Sequence, residues 1–198
     1  KKWGEIKEFS KAAAKEKNII LEINRVALRF FKNKLKENKE IIEYLLGRGL
    51  KRDTIDFFEL GYAPLQNELR DYLFSLGYSL RDIQSAGLLT YSKEDRFQQR
   101  IIFPFIDHLG KVVGFTGRIY PEKNDVAKYL NTSETALFKK SQFLFGLYYS
   151  SPHIKEAKTA IVVEGQMDFL PCWQNNIKNV VAVSGTAFTE EQLKILRR

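Results

Sequence analysis

Two short apolar runs, joined by a stretch with helical spacing, stand out in the hydrophobic pattern near the end of the chain. Residues 160–163 and 180–183 are rich in Val, Ile and Ala. Continuous runs of this kind are typical of strands buried on both faces. The pattern therefore predicts a βαβ unit with parallel strands and a right-handed crossover.

The residues that follow these two runs are candidates for a functional site. Glu164-Gly165 follows the first run, and Ser184-Gly185-Thr186 follows the second. Ligands bind beyond the carboxyl ends of the strands in such sheets. A turn that leads into a helix can also hold an anion, although such turns occur for packing reasons as well.

The first part of the chain has helical periodicity. Apolar residues recur at helical spacing from Ile19 to Leu35, which predicts one amphipathic helix. Residues 1–18 are rich in Lys and Glu with a weak apolar pattern, and we expect a linker or a frayed helix there. Shorter helices that each stop at a glycine are then predicted over 39–46, 54–60 with an Asp53 cap, 68–76, and 80–86 with a Ser79 cap.

The period changes to two after Arg100. Residues 100–107 and 112–120 predict two strands joined by a tight turn at Gly110, and Pro104 indicates an edge or a bulge in the first strand. Further on, Ser133 predicts a capped helix through Lys140, and 144–149 a helical turn that Ser151-Pro152 ends. The fold class is therefore α/β, with a mixed α+β subdomain over 19–157 and a partial βαβ unit over 158–198.

Composition narrows the class of protein. The chain has 198 residues, of which 44% are hydrophobic, so a substantial core is expected. No apolar run approaches the ~20 residues that span a membrane, and the start of the chain has no signal-peptide pattern. A single Cys and two His exclude an internal disulfide and an internal zinc site, which favours a reducing, intracellular setting.

The charge balance points to an anionic partner. The net charge is +8 and the isoelectric point is about 9.4, and nucleic acid is the commonest partner of such proteins. A basic protein from a lysine-rich proteome would have the same balance, so charge alone leaves both interpretations open.

Two carboxylates are candidates for catalysis. Glu164 lies where a strand ends and a helix begins, where it can bind Mg²⁺ through oxygen, act as a general base, or only complement the positive end of the helix. Asp168 follows four residues later, and two helical residues at this spacing share a face at ~6 Å. Two carboxylates rarely complete a Mg²⁺ site, and Asp107 and Asp125 are not obviously placed to help.

A basic and polar group surrounds the predicted hairpin. Gly117 before Arg118 would let the backbone approach a phosphate that the guanidinium grips. Tyr129 can stack on a base, and Asn131 can hydrogen-bond a sugar or base. Exposed Lys and Arg on the wet face of a hairpin are the alternative. The candidate residues are Arg96, Arg100, Arg118, Lys128, Tyr129, Asn131 and Lys140.

Five motifs in order resemble the catalytic core of bacterial DnaG-type primases. The segment V-V-E-G-Q-M-D at 162–168 resembles the first motif of the Toprim fold, and V-S-G-T-A-F-T at 183–189 its second strand and turn. The other similar segments are Y-L-L-G-R-G-L from Tyr44 with F-F-E-L-G-Y-A-P to Pro64, R-F-Q-Q-R-I-I-F-P-F…G-F-T-G-R over 96–118, and K-Y-L-N-T-S-E-T at 128–135 followed by F-K-K-S…L-F-G-L. The resemblance covers nearly all of the chain beyond about residue 20.

The resemblance implies an enzyme that makes short RNA primers on single-stranded DNA from ribonucleoside triphosphates with Mg²⁺ or Mn²⁺. It implies that Glu164 is the Toprim acid, as metal ligand or general acid/base, and that Asp168 accompanies it. The basic and polar candidates fall on positions that receive nucleotide or template. A bacterial cytoplasm and a replicative helicase partner are further implications.

The same resemblance implies that parts of the enzyme lie outside the chain. An Asp-x-Asp strand with further metal ligands is expected beyond Arg198, and a zinc-binding domain before Lys1. We therefore expect the chain alone to bind metal poorly and not to make primers. Gln166, Thr116 and Pro171 depart from the family pattern, and Pro171 is expected to kink its helix.

Two rival interpretations stay open at this point. One is another Toprim enzyme, a topoisomerase or nuclease, although no tyrosine is marked as a nucleophile. The other is a module that binds single-stranded nucleic acid without chemistry.

Overall fold

The computed structural model describes residues 2–185 and 187–197, with side chains from residue 12 onward. In this part the chain forms helices on both sides of a small antiparallel sheet, followed by a βαβ unit. The helices are α1 (Lys2–Glu37), α2 (Lys39–Gly47), α3 (Arg52–Phe57), α4 (Glu68–Ser75), α5 (Leu80–Ser85), α6 (Leu147–Ala157), α7 (Gln166–Gln174) and α8 (Glu190–Leu196). The strands are β1 (Gly61–Ala63), β2 (Arg100–Ile106), β3 (Val112–Ile119), β4 (Tyr129–Asn131), β5 (Ile161–Val163) and β6 (Val180–Ala182). The α/β fold class is confirmed.

The predicted hairpin forms the centre of the antiparallel sheet, whose strand order is β1-β2-β3-β4. Gly110 turns between β2 and β3 with φ +75°, a conformation that glycine adopts without strain. β1 pairs only with residues 100–102 of β2, so Pro104 lies where β2 has one neighbouring strand, and a register shift follows at Phe105/Ile106. Both features agree with the expectation that Pro104 marks an edge or a bulge.

The two faces of this sheet pack against different elements. Ile102 and Phe115 face α1, α4 and α5, where they join Phe31, Leu73 and Ile83 in one buried cluster. On the opposite face, Ile101 and Phe103 join residues of α3, α7 and β6 in a second cluster, which includes Phe58, Phe169 and Val180. We call these the α1-side and the β6-side of the sheet. Since the βαβ unit packs on the β6-side, only residues on that face can meet it directly.

The βαβ unit forms as predicted. β5 and β6 are parallel, with Val162 opposite Val181, and α7 connects them. β6 is fully buried, but Ile161 and Val162 of β5 are each 40% exposed. The expectation that both strands are buried on both faces is therefore wrong for β5, because β6 is the only strand that pairs with it within the described residues.

The beginning of the chain is helical, which is one of the two forms expected for it. α1 starts at Lys2 instead of near Ile19 and continues without interruption to Glu37. Residues 11–17 read K-A-A-A-K-E-K, and Ala, Lys and Glu have high intrinsic helix propensity. The high helix propensity of these residues thus explains why the helix begins before the apolar pattern becomes regular. No helix in the described part of the chain is long and apolar enough to cross a membrane.

Two predictions between β4 and β5 are wrong. Residues 133–139 form no helix, because the Thr135 hydroxyl accepts the backbone N–H groups of Leu137 and Phe138 in a local turn that buries the Phe138 ring against Phe105. In addition, Pro152 does not break the chain but lies inside α6. Proline has no N–H to donate to the carbonyl group four residues earlier in the helix. Because Pro152 is exposed, water can donate to that carbonyl group instead.

Candidate functional site

The carboxyl edge of the parallel pair brings the first two candidate turns together. The Val183 N–H donates to Val163 O at 3.1 Å and the Ser184 N–H donates to Glu164 O at 3.1 Å, which extends the ladder beyond both strands. The Glu164 side chain is exposed at this edge, and Ser184 is buried beside it. The predicted meeting of the two turns is therefore present up to Gly185, while Thr186 lies outside the described residues.

Asp168 caps the helix that follows Glu164. α7 begins at Gln166, Gly165 is its N-cap, and the Gly165 N–H donates to Asp168 Oδ2 at 3.0 Å. Glu164 precedes the helix, so the helical i, i+4 geometry expected for the two acids is wrong. Asp168 nevertheless remains exposed in the first turn, where the positive end of the helix favours a carboxylate.

A short chain of hydrogen bonds ties the βαβ unit to strand β4. The buried Gln166 donates from Nε2 to Ser184 Oγ at 2.6 Å, and Asn131 donates from Nδ2 to Ser184 O at 3.2 Å. Lys140 Nζ lies 3.5 Å from Gly185 O. Two predicted site residues, Asn131 and Lys140, are therefore held at the turn that follows β6.

Arg118 and Tyr129 lie on the same face of the sheet as Asn131. The register pairs Arg118 with Tyr129 and Thr116 with Asn131, which places all four on the β6-side. The Arg118 side chain is 1% exposed, and its guanidinium lies 5.8 Å from the ring centre of Tyr44 and 5.9 Å from that of Tyr129. Its Nη2 donates to the carboxylate of Glu122. The arrangement is a buried cation enclosed by two aromatic rings, with one carboxylate partner.

The pKa shifts indicate that the acidic and basic candidates lie close together. Burial raises the pKa of Tyr129, Arg118 lowers it, and the negative charge of Asp168 raises it further. Burial lowers the pKa of Arg118, but the hydrogen bond from Arg118 to Glu122 and the nearby tyrosines raise it, and the net shift is upward. The charges of Asp168 and Arg118 thus both act on the pKa of the Tyr129 hydroxyl.

Arg100 lies on the other face of the sheet. It pairs with Ile119 in the register, one position away from Arg118, so the two guanidinium groups leave the sheet on opposite sides. Arg100 Nη1 donates to the carbonyl oxygens of Gly117, Ala127 and Lys128 at 3.0, 3.0 and 3.4 Å. Burial lowers its pKa. This environment fits a group that holds the β3–β4 connection in place.

Arg96 also contacts backbone in the structure. Its Nε donates to Asn131 O at 2.7 Å, and partial burial lowers its pKa. Arg96 therefore supports the backbone of Asn131. Lys128 is different, because 60% of its side chain is accessible and its amino group is exposed to solvent.

Gly117 has a packing role that differs from the expected approach to phosphate. A Cβ atom added at Gly117 would lie 2.8 Å from Phe97 Cδ1 and 2.9 Å from Arg100 Cδ. The missing side chain therefore makes room for Phe97 and Arg100 on the α1-side, away from Tyr129 and Asn131.

The donor chemistry of the two acids suits a hard divalent cation only in part. Carboxylate oxygens are the ligands that Mg²⁺ prefers, and Glu164 is exposed and free to turn toward one. The described residues contain no group of three or more His, Cys, Asp or Glu side chains that could hold a metal ion. Within the described residues, Glu164 and Asp168 therefore do not complete a magnesium site by themselves.

Sequence reasoning missed three residues of this site. In the sequence, Tyr44 stands out only as part of a motif, Gln166 only as a departure from the family pattern, and Glu122 not at all. A tyrosine or glutamate far away in sequence carries no local signal for its contact with Arg118. The polar Gln166 at the start of an otherwise apolar helix face was a signal that could have been used.

Comparison with known proteins identifies the family. The family model described as DNA primase catalytic core, N-terminal domain, matches residues 30–151, and the Toprim domain model matches residues 158–198. The chain therefore belongs to the DNA primase catalytic-core family, and the resemblance seen in its motifs is confirmed.

Curated relatives and solved structures agree with this assignment. The DNA primase of Borreliella burgdorferi is 40% identical over 86% of this chain and 33% of its own length. The RNA polymerase domain of Mycobacterium tuberculosis primase DnaG, solved in complex with double-stranded DNA, has a TM-score of 0.84 and 32% identity over 91% of this chain and 59% of that one. A DnaG primase catalytic domain bound to single-stranded DNA has a TM-score of 0.81 and 32% identity over 92% and 59%. The chain spans about a third of the length of the curated relatives that it matches.

Proposed function

We propose that this chain is part of a DNA primase, a nucleotidyltransferase that copies single-stranded DNA into short RNA primers. One observation carries the proposal: the edge that bears Glu164 and Ser184 also receives Asn131 and Lys140 from a different part of the chain. Acids that bind a metal ion and groups that bind phosphate are both needed for phosphoryl transfer, which depends on positioning and neutralisation of charge.

The acidic side of the site would handle the metal ion. Glu164 would supply an oxygen ligand to Mg²⁺ or Mn²⁺ or accept a proton, and Asp168 would orient the turn through its bond to the Gly165 N–H. The metal would neutralise charge on the phosphates. Its other ligands would come from the Asp-x-Asp strand that we expect, from the family resemblance, beyond Arg198.

The basic side of the site would bind nucleotide or template. Lys128 and Lys140 would contact phosphate, Asn131 would contact a sugar or base, and the Tyr129 ring would support a base by stacking. Arg118 would add a further phosphate contact from its buried position in β3. Arg96 would hold Asn131 in place, and Arg100 would hold the β3–β4 connection. The zinc domain, the RNA primer and the helicase contacts belong to the proposed whole enzyme.

A comparison of three proteins tests the proposed chemistry. Primer synthesis on single-stranded DNA with Mg²⁺ or Mn²⁺ would be measured for this chain, for the chain extended through the acidic strand, and for that extension carrying Glu164→Gln. We expect activity only in the unmutated extension and a loss of at least about 100-fold in the variant, the scale of a lost acid–base or metal-binding group. Glu156→Gln, an exposed glutamate on α6, is the control that keeps activity.

Two outcomes would contradict the proposal in different ways. Robust synthesis by residues 1–198 would show that the acidic strand is dispensable. An extension that binds single strands but makes no primer, even with the zinc domain present, would favour the binding module instead.

A further inference from the structure

The carboxylate of Glu122 lies between two cationic groups of the candidate site. Its Oε1 accepts a hydrogen bond from Arg118 Nη2 and is 3.5 Å from Lys128 Nζ. The Arg118 side chain is 1% exposed, whereas that of Glu122 is 56% exposed. A buried cation is therefore paired with a carboxylate that reaches it from the surface, and this pairing holds the pKa of Glu122 below its ordinary value.

The hydrogen-bonding capacity of Arg118 is not filled by this partner. The Nε atom is buried and has no hydrogen-bond partner among the described residues. A guanidinium carries five N–H donors and matches an oxyanion best when two of its donors face two oxygens. A phosphate group offers more acceptor oxygens than the single Glu122 oxygen in contact here.

Glu122 is also placed so that it can leave. It belongs to the connection between β3 and β4, which contains no helix or strand over 120–128. By contrast, the sheet holds the backbone of both cationic residues: Arg118 lies within β3, and the Lys128 carbonyl oxygen accepts a hydrogen bond from Ile119 N at 3.0 Å just before β4. Rotation of the exposed Glu122 side chain would therefore uncover the buried guanidinium of Arg118 next to the exposed amino group of Lys128.

We propose that Glu122 is an internal competitor that occupies the Arg118–Lys128 anion site until a phosphate group displaces it. The inference rests on the proposed function, since it treats Arg118 and Lys128 as phosphate-binding groups. The displacing phosphate would come from a nucleoside triphosphate or from the backbone of a single strand. Glu122 would thereby keep a buried positive charge paired in the absence of ligand, at the expense of affinity for the ligand.

Direct binding measurements test this proposal. Calorimetry would compare the wild-type chain with Glu122→Gln and Asp125→Asn, using inorganic tripolyphosphate and, separately, oligothymidylate at about 0.15 M salt. Asp125 is a matched control because it is an exposed acid three residues from Glu122 in the same connection. It has no contact with Arg118 or Lys128 among the described residues, and its substitution by Asn changes the net charge by the same amount as Glu122→Gln. Glu122→Ala serves as a second variant with the same expectation.

We expect Glu122→Gln to tighten the binding of one probe about tenfold, within the range typical of coupling between two groups. Asp125→Asn should change it less than about twofold, because an exposed charge is screened. Tightening confined to tripolyphosphate would identify the triphosphate as the competing ligand, and tightening confined to oligothymidylate would identify the strand backbone.

Other results would overturn the proposal and separate it from the proposed function. Equal effects of the two substitutions would show that only net charge matters. Weaker binding in Glu122→Gln would show that the carboxylate organises the site for its ligand. In both cases the wild type still binds, and the proposed function stands. Failure of every folded variant and of the wild type to bind either probe would overturn both.

Discussion

Single residues in this chain carry structural roles that their sequence neighbours do not reveal. Asp95 is 4% exposed, and its two oxygens accept the backbone N–H groups of Leu69 and Arg70 at 2.9 Å each. It thus caps α4 from a distant part of the chain, while the side chain of Asn67, the local N-cap, makes no bond to the helix and instead accepts the Asp95 N–H at 2.8 Å. The next residue is Arg96, so this exchange also fixes the start of the segment that leads to the basic residues.

The titration of Asp95 should make stability depend on pH. Burial raises its pKa from 3.8 to about 6 in the folded state, so the folded protein holds a proton that the unfolded chain releases. Stability from this group is therefore present below about pH 4 and is lost as the pH rises through 6. We expect the unfolding free energy of wild type relative to that of Asp95→Asn to fall by about 2 kcal/mol from pH 4 to 7, because one pKa unit corresponds to ~1.4 kcal/mol and part of the change lies below pH 4.

Chemical denaturation of both proteins across this pH range would measure the difference, and titration of the other carboxyl groups cancels between them. A wild type that instead gains stability over Asp95→Asn as the pH rises would show that the two helix N–H groups outweigh burial.

Gly117 offers a second test at the scale of one residue. Gly117→Ala places a methyl group 2.8 Å from Phe97 and 2.9 Å from Arg100, and overpacking of this kind destabilises a protein by about 1–3 kcal/mol. Gly47→Ala, at the end of α2 where a Cβ meets nothing within 4 Å, is the matched control and should stay within about 0.5 kcal/mol of wild type. Thermal unfolding would compare them, and equal stability of both variants would contradict the crowding.

At the scale of elements, local cap residues marked the start of some helices and not of others. Ser79 accepts Asp82 N at 3.1 Å at the start of α5, as the sequence predicts, and Thr189 accepts Gln192 N at 3.1 Å at the start of α8. Asp53, by contrast, lies inside α3, whose N-cap is Lys51. Pro171 lies within α7, which continues through it to Gln174. Helix ends depend on what the neighbouring segments bury, and caps alone do not decide this.

The Ser79 cap can be tested by the same substitution at both ends of α5. Ser79→Ala removes the cap and should lower the unfolding free energy by about 1 kcal/mol, the usual value of such a cap. Ser85→Ala changes the last residue of the helix, where no cap bond is lost, and should change stability by less than about 0.5 kcal/mol. Urea denaturation of the two variants gives the comparison, and a larger effect at Ser85 would refute the assignment of the cap.

At the scale of the whole molecule, the net charge of +8 becomes informative once the fold has placed the residues. Lys140 reaches the turn beside the edge that bears Glu164, and Arg118 and Lys128 meet at Glu122, whereas Arg100 is turned to the α1-side. A minority of the basic residues thus forms the candidate site. The others are free to contribute only to the long-range field that attracts a polyanion.

Salt dependence should separate these two groups of cations. Binding of single-stranded DNA should weaken as salt rises, and Lys128→Gln should reduce the slope of log K against log salt by about 0.7, the value of one phosphate contact on a single strand. Lys155→Gln, an exposed lysine on α6, carries the same charge change and should leave the slope nearly unchanged. Fluorescence anisotropy at several salt concentrations would measure both slopes. Identical slopes for the two variants would argue against a local contact at Lys128.

The sequence alone determined the elements that rest on local patterns. The two β-branched runs, the period-two hairpin and the ordered motifs identified the βαβ unit, the antiparallel pair and the primase family, because each signal lies within a few consecutive residues. Glu164 followed from the same logic, since the end of a parallel strand and the start of a helix are both visible in sequence. Its role in catalysis stays a prediction.

Only the tertiary structure decided which candidates share a site. The register of β2 on β3 separates Arg100 from Arg118, because a side chain in a strand changes face with every residue and the register depends on a partner strand. The contact of Glu122 with Arg118 and Lys128 depends on how the chain between β3 and β4 folds back. Likewise, β5 has the composition of a buried strand, yet its exposure depends on which elements lie next to it, and no local pattern carries that information.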